Sequence, residues 1–433
     1  MTQHEQRPEQ AGAGIGAGPG TASGPGAVAA GGGLRVPDGF LEDLIALRRR
    51  LHAHPEVGLM LPRTQEMILE AIADLDLEIA LGTETTSVVG VLRGGRPGPA
   101  VLLRGDMDGL PVVEATGLPY AADTGTMHAC GHDLHMAGLV GAARLLAAHR
   151  EELPGSVILM FQPGEEGYDG AGVMLREGVL EAAGERPIAA YGIHVSADAP
   201  SGQISTRAGT LMAAFSVLEV RVIGRGGHGS RPHEALDPIP AMAEMITALQ
   251  THVTRRTSVF DPVVVTVGEV HAGSAPNIIP GEAHFRAGVR TFSPRMATRM
   301  AAQLPELVTG IGRSHGLTVE ATFRTVLPAT INDDAEAGFF ARTAQGIFGA
   351  ERYVDLENPR TGSEDFSRVL AEVPGAYGFV GAAKDFDPED MPASNHSPMA
   401  VFDDSVLADQ ALLLATLARD RLRAAAGEGD PAI

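Results

Sequence analysis

Ala100-Val101-Leu102-Leu103-Arg104-Gly105-Asp106, AVLLRGD, is an apolar run closed by an acid, and its reading decides the fold. A short apolar run without polar alternation is a strand buried on both faces, and such a strand needs helices on each side. The surrounding chain supplies them. SVVGVL (87–92) reads as a neighbouring strand and LHMAGLVGAARLLAAHR (134–150) as a small-residue helix. SVILMFQPGEE (156–166) is a strand running into a loop, and AAYGIHV (189–195) is another strand, which His194 ends. Asp38 is placed to cap a first helix, DGFLEDLIALRRRLHAH, in which Phe40, Leu41, Leu44, Ile45 and Leu51 repeat with a helical period. The alternation predicts an α/β sheet with its active residues at the strand ends.

From about Ala214 the pattern changes. FSVLEVRVIG, a glycine-rich turn, a helix announced by Asp237-Pro238, PVVVTVGEV, EAHFRAGVRTF, another helix and LTVEATFRT give strand-helix-strand-strand-helix-strand. That order describes a compact α+β unit. After about Val326 the α/β character returns and ends in the amphipathic helix DDSVLADQALLLATLARDRL. A chain of 433 residues exceeds what one core serves. The predicted organisation is therefore a Gly/Ala-rich tail over 1–36, a larger domain over 37–212 and 327–433, and a smaller unit over 213–326 inserted between its halves. The tail has too little apolar surface to offset the entropy of ordering and is expected to be disordered.

Composition excludes several classes of function. A formal charge of −21 repels nucleic acid and anionic membrane alike. Lys384 is the only lysine, which leaves almost no room for Schiff-base chemistry. There is no apolar run of eighteen residues and no basic-then-apolar leader, so neither a membrane span nor a secretory signal is read. The single cysteine, Cys130, cannot form an internal disulfide, and a reduced cytoplasm is the expected setting.

That cysteine sits in MHACGHDLH (127–135), with three histidines and an aspartate. A thiolate, a neutral imidazole and a carboxylate are what a borderline divalent ion prefers, and Cys130 with His132 offers two such groups on a glycine turn. Taken alone, CGH equally fits a buried thiol beside capping groups. FQPGEEGYDGAG places Glu165 and Glu166 side by side at a strand end, where like charges call for a cation or a solvated turn. One of the pair can bind metal while the other activates water. In RGDMDGLP, Asp106 and Asp108 follow AVLLR, and an aspartate there can fix a ligand histidine by accepting its other N–H, or simply shape a turn. His194 and His396, the latter in SNHSP, read as ligands or as a core and a turn histidine. These groups recur at successive ends of one predicted sheet, where ligand sites assemble in such folds.

RGDMDGLP, ACGHDLH, QPGEEG, GIHV, GGHGSRP, APNIIPG, VRTF, TGSEDF and NHSP, in this order, resemble the aminoacylase and carboxypeptidase type of dinuclear metallopeptidases. Within it they are most similar to the hippurate hydrolase and auxin-conjugate amidohydrolase branch, from Arg48 to the last helix. The resemblance implies a zinc-peptidase-like catalytic domain with a mixed central sheet and an inserted ferredoxin-like lid or dimerisation domain. It implies that Cys130, His132, Glu166, His194 and His396 bind two divalent ions (zinc, manganese, cobalt or nickel), with Glu165 as general base and Asp108 as the histidine-orienting carboxylate. His128 and His135 match no ligand and are read as supporting the ligands or lining the substrate. His228 would cross a dimer interface to stabilise the oxyanion at the partner's metals, and Asn277, Arg290 and Gly362 would hold the substrate carboxylate end. The implied reaction is hydrolysis of an N-acyl amino acid by a metal-activated water. The alternative is a dinuclear carboxypeptidase or dipeptidase acting on short peptides. Two further rivals are a Cys130 nucleophile and a metal-dependent binding protein without turnover; an intact Glu165 argues against the last.

Overall fold

The computed structural model describes residues 33–428, and the tail expected over 1–36 lies almost wholly outside them. The chain runs through α1 (Phe40–His52), α2 (Pro62–Ile72), β1 (Glu78–Leu81), β2 (Val88–Arg93), β3 (Arg96–Asp106), α3 (His132–Ala148), β4 (Pro154–Gln162), α4 (Gly170–Arg176) and β5 (Ala189–Pro200). Short β6 (Ile204–Thr206) and β7 (Gly209–Met212) lead to β8 (Ala214–Ile223), β9 (Gly227–His228), α5 (Pro238–Arg256), β10 (Val263–Ala272), β11 (Ile278–Ile279), β12 (Glu282–Thr291), α6 (Pro294–Ser314) and β13 (Thr318–Leu327). The last stretch comprises β14 (Thr330–Asn332), α7 (Asp334–Phe348), β15 (Tyr353–Asp355), α8 (Ser367–Leu370), β16 (Gly375–Ala383) and α9 (Val406–Ala425).

Eight strands form a mixed sheet in the order β1-β2-β4-β3-β5-β16-β6-β15. Its centre, β4-β3-β5-β16, is parallel, and β2 joins antiparallel to β4. Val101 and Leu103 of β3 enter the core shared with α1, α3 and α9, while Ala100 and Leu102 enter a second core on the opposite face. Burial on both faces is why this strand carries no polar alternation. α3 packs closely on α1 and α9: a Cβ on its Gly141 would lie 2.7 Å from the Ala411 methyl and 2.8 Å from Leu44.

Two sequence expectations are corrected here. Asp38 does not cap α1; Gly39 occupies the cap position with φ 77°, and no side chain bonds there. His194 does not end its strand, because β5 continues to Pro200 through pairing with β16. By contrast, Asp237 caps α5 by accepting from the Ile239 N–H at 3.0 Å, as Asp-Pro promised.

A separate antiparallel sheet, β10-β12-β8-β13, is covered on one face by α5 and α6, with Leu218, Val220, Phe285 and Val289 buried beneath them. The chain enters it after β7 and leaves it before β14, and those two strands pair with each other. This unit is thus spliced into one β connection of the larger fold.

Candidate metal centre

The site forms where β3, β4 and β5 deliver their C-terminal halves beside the N-terminus of α3. Gly131, with φ 83°, turns the chain between Cys130 and His132, and a Cβ on it would meet Val195 Cγ2 at 2.3 Å. Only glycine fits there, and the turn sends both neighbouring side chains to one point. From β5, His194 Nε2 reaches Cys130 Sγ at 3.3 Å. His396, on the loop before α9, holds a left-handed φ of 71° and brings Nε2 to 3.2 Å from the same sulfur and 3.0 Å from Glu166 Oε1. Strain of this sort in a non-glycine residue costs about 1–3 kcal/mol and clusters at functional sites.

The five residues expected to bind metal come together as two triads, Cys130/His132/His194 and Cys130/Glu166/His396, which share the sulfur. His132, Glu165 and Glu166 form a third group between them.

Their polar atoms fit a cation. His194 donates through Nδ1 to the Val195 carbonyl at 2.7 Å, and burial holds its pKa well below the usual histidine value, so Nε2 is an open lone pair facing the thiol. His132 donates through Nδ1 to the Asp108 carbonyl at 2.8 Å, and its buried Nε2, without a hydrogen-bond partner, lies 3.4 Å from Asp106 Oδ2. A buried polar nitrogen without a hydrogen bond is costly, and a bound cation would satisfy it. His396 is pushed up to about 10 by its hydrogen bonds to Cys130 and Glu166, so a proton holds a place that a metal ion would contest. A thiol, three imidazoles and carboxylates are the donor set of zinc and its neighbours.

Asp108 contacts both His132 and the Glu165–Glu166 turn. Its main-chain carbonyl takes the His132 proton, while its carboxylate accepts from the Glu165 and Glu166 N–H groups, each at 3.0 Å, and lies 3.5 Å from His132 Nδ1. Glu165 is buried, and burial followed by the neighbouring Glu364 and Glu166 raises its pKa well above the ordinary carboxyl value.

Asp106 takes the His135 Nδ1 proton at 2.5 Å and pairs with Arg104 at 2.6 Å. His135 Nε2 in turn accepts from the Val195 N–H at 2.9 Å. His135 is therefore a buried brace. His128 is also buried, with neither ring nitrogen partnered, and burial lowers it to about 3.

Further supports flank these residues. Asn395 donates to the carbonyls of Cys130 (3.1 Å) and Val195 (3.0 Å) and accepts from the Ala197 N–H, stitching three ligand segments together. Asp133, next to His132, is gripped by Arg48 at 2.6 Å and His52 at 2.7 Å from α1. Arg104 also binds Glu364 at 2.8 Å, which anchors the TGSEDF segment beneath Glu165.

The remaining expected residues fall into two places. Arg290 donates to the Thr361 carbonyl at 2.7 Å and lies over the Phe215 ring, which brings it beside Gly362. His228 and Asn277 meet elsewhere, on the exposed β9–β11 ladder, where the Gly229 N–H donates to the Asn277 carbonyl at 2.8 Å. Among the described residues no helix is long and apolar enough to cross a membrane.

A model of peptidase family M20/M25/M40 matches residues 102–420. The chain is 35% identical over 384 residues to thermostable carboxypeptidase 1 of Saccharolobus solfataricus, spanning 87% of this chain and 95% of that protein. It is 34% identical over 391 residues to the IAA-amino acid hydrolase ILR1-like 2 of Arabidopsis thaliana, spanning 89% and 87%. A solved Bacillus subtilis structure, described as a dinuclear metal binding peptidase from the M20 family, superposes with a TM-score of 0.77 at 30% identity, covering 89% of this chain and 99% of that one.

Proposed function

This chain is a member of peptidase family M20/M25/M40 and a metal-dependent hydrolase of amide bonds, and we propose that it cleaves N-acyl amino acids or related conjugates. Hippurate-like, N-acetyl and indole-acetyl compounds are the substrates in view. The observation that carries this reading is the pair of Cys130-sharing triads set against a buried Glu165.

In this reading Cys130, His132, Glu166, His194 and His396 hold two divalent ions drawn from zinc, manganese, cobalt and nickel. When bound, such ions supply a water acidic enough to attack near neutral pH and a Lewis acid for the scissile carbonyl. Glu165 takes the proton of the attacking water and returns it to the departing amine. Its raised proton affinity suits it to accept, and the Asp108 grip on its main chain holds it in place. Arg290 and Gly362 receive the substrate carboxylate, for which a guanidinium fork is suited.

His228 completes the site from a second copy of the chain. β12 runs ten residues, Glu282 to Thr291, or about 30 Å at the usual strand rise. Arg290 and its Thr361 contact stand at one end; the β9–β11 ladder bearing His228 and Asn277 stands beyond the other. A side chain so placed stands about 30 Å along β12 from the Arg290–Thr361 contact, which favours a homodimer formed through the inserted unit. His228 Nδ1 accepts from the Ser230 N–H at 3.1 Å, leaving the proton on Nε2, ready to donate to an oxyanion. A lone cysteine serving as a metal ligand suits a reducing cytoplasm.

The carboxypeptidase relative favours a second reading, hydrolysis of short peptides by the same centre. One experiment separates them. Protein stripped of metal and resupplied with zinc, manganese, cobalt or nickel is offered a panel of N-acyl amino acids and dipeptides, and free amino acid is measured. Metal-restored cleavage of the acyl compounds in preference to dipeptides is expected; the reverse preference would transfer the assignment to peptides.

A further inference from the structure

On the face of the four-stranded sheet turned away from α5 and α6, a second group of metal-ligating side chains comes together, formed by none of the residues assigned above. His271 of β10 and His284 of β12 are direct cross-strand partners, with ring centroids 4.7 Å apart and planes at 28°. Glu269, two residues before His271, brings Oε1 to 3.1 Å from His271 Nε2. One donor atom from each of the three lies within 4.8 Å of the others.

A backbone irregularity creates this arrangement. Val267 pairs with Ala287 and packs toward the helices, so a regular strand would send Glu269 to that same side. A bulge between Val267 and Glu269 flips the register, and Glu269 instead pairs with Arg286 on the open face. Bulges re-aim side chains in this way beside functional sites. The acid consequently joins two histidines that the antiparallel register had already set opposite each other.

The spacing matches a coordination sphere. An ion with bonds of about 2.0–2.1 Å has ligand-to-ligand edges of about 3.3 Å in a tetrahedron, close to the Glu269–His271 separation of 3.1 Å. Arg286 engages the other carboxylate oxygen, Oε2, at 3.3 Å, and is itself drawn toward Glu219 at 3.2 Å, so Oε1 stays available. All three groups face solvent, and the fourth position is open to water.

We propose that Glu269, His271 and His284 form a peripheral site for one borderline divalent cation, zinc or copper(II), which ties β10 to β12. The tie lies at the root of the loop leading to Asn277 and to the β9–β11 ladder, so a bound ion stiffens the arm that carries His228. Nothing in this proposal depends on how many ions occupy the Cys130 centre.

The test compares holoenzyme of the wild type with His284→Ala and His271→Ala, each dialysed against graded zinc or copper(II) and analysed for metal per chain. Wild type is expected to bind one ion per chain more than either variant, with affinity for that ion falling at least about tenfold in the variants, since even loss of an outer supporting group costs this much. Copper(II) added to zinc-loaded holoenzyme should give the wild type a spectrum with two nitrogen ligands that is lost in each variant. Identical metal content in all three proteins would overturn the proposal, as would an extra ion retained by both variants. Because both histidines are exposed, the variants should fold; His284→Gln, which keeps the polarity, serves as a further check and should lose the same ion.

Discussion

The Cys130 centre and the β9–β11 arm use the same side chain, histidine, under opposite conditions. At the centre His132 and His194 are locked: Nδ1 of each is spent on a main-chain carbonyl, and the rings are covered by the sheet and α3. On the arm His228 is exposed and held only by Ser230, two residues away. The first environment fixes ligands to fractions of an ångström, which a metal demands; the second leaves a donor free to meet a partner. Rigidity and reach are thus divided between two parts of one chain, and the predicted dimer reunites them.

The comparison breaks most sharply if the chemistry does not reside in the buried part. Glu165→Gln should lower kcat by about a thousandfold while metal content stays at the wild-type level; near-normal turnover would remove Glu165 from its role. His228→Ala should cost somewhat less, on the order of a hundredfold in kcat, the scale for losing one oxyanion donor. The two variants together sharpen the point. Each is almost inactive alone, yet a mixed dimer contains one site with both groups intact, so an equal mixture should recover about a quarter of wild-type activity if His228 acts across a twofold interface. No recovery after confirmed subunit exchange would place His228 in its own chain's chemistry or in none. Smaller again is Gly131→Ala: the left-handed φ and the 2.3 Å approach to Val195 should displace Cys130 and His132, weakening metal binding about ten- to a hundredfold in a competition titration.

Part of this centre was legible because Asp106, Glu165 and Glu166 close or follow apolar strand runs, and an α/β sheet gathers such ends. Cys130, His132, Glu166, His194 and His396 meet as two triads, a set read from the likeness of their motifs to a known family, since His194 lies within β5 and His396 on a loop. What the sequence hid was pairing across long separations. Asp133 meets Arg48 from 85 positions away only because α1 packs on α3, and Asn395 reaches Cys130 across 265. The extension of β5 past His194 depends on β16, a partner nearly two hundred residues downstream. Residue type also does not say how many oxygens are used: Asp108 steadies His132 through its carbonyl as well as its carboxylate, and the same carboxylate holds the Glu165–Glu166 turn. The first helix shows the same limit locally, since Asp38 has the right chemistry for a cap but Gly39 occupies the position.

Arg290 lies between the two regimes and has the smallest expected effect. It is half-buried, fixed at one nitrogen to the Thr361 carbonyl and stacked over Phe215 at 5.1 Å, yet its remaining donors are uncommitted. Lysine at this position keeps the charge and loses the planar fork. If the fork receives the substrate carboxylate, Arg290→Lys should raise KM about tenfold with kcat little changed, the signature of binding lost equally in ground and transition states. The control is the same acyl compound with its carboxylate converted to an amide, on which wild type and variant should perform alike. A KM that rises equally for both compounds would show that Arg290 clamps the inserted sheet to the Thr361 segment, making it part of the rigid framework rather than of the recognition surface.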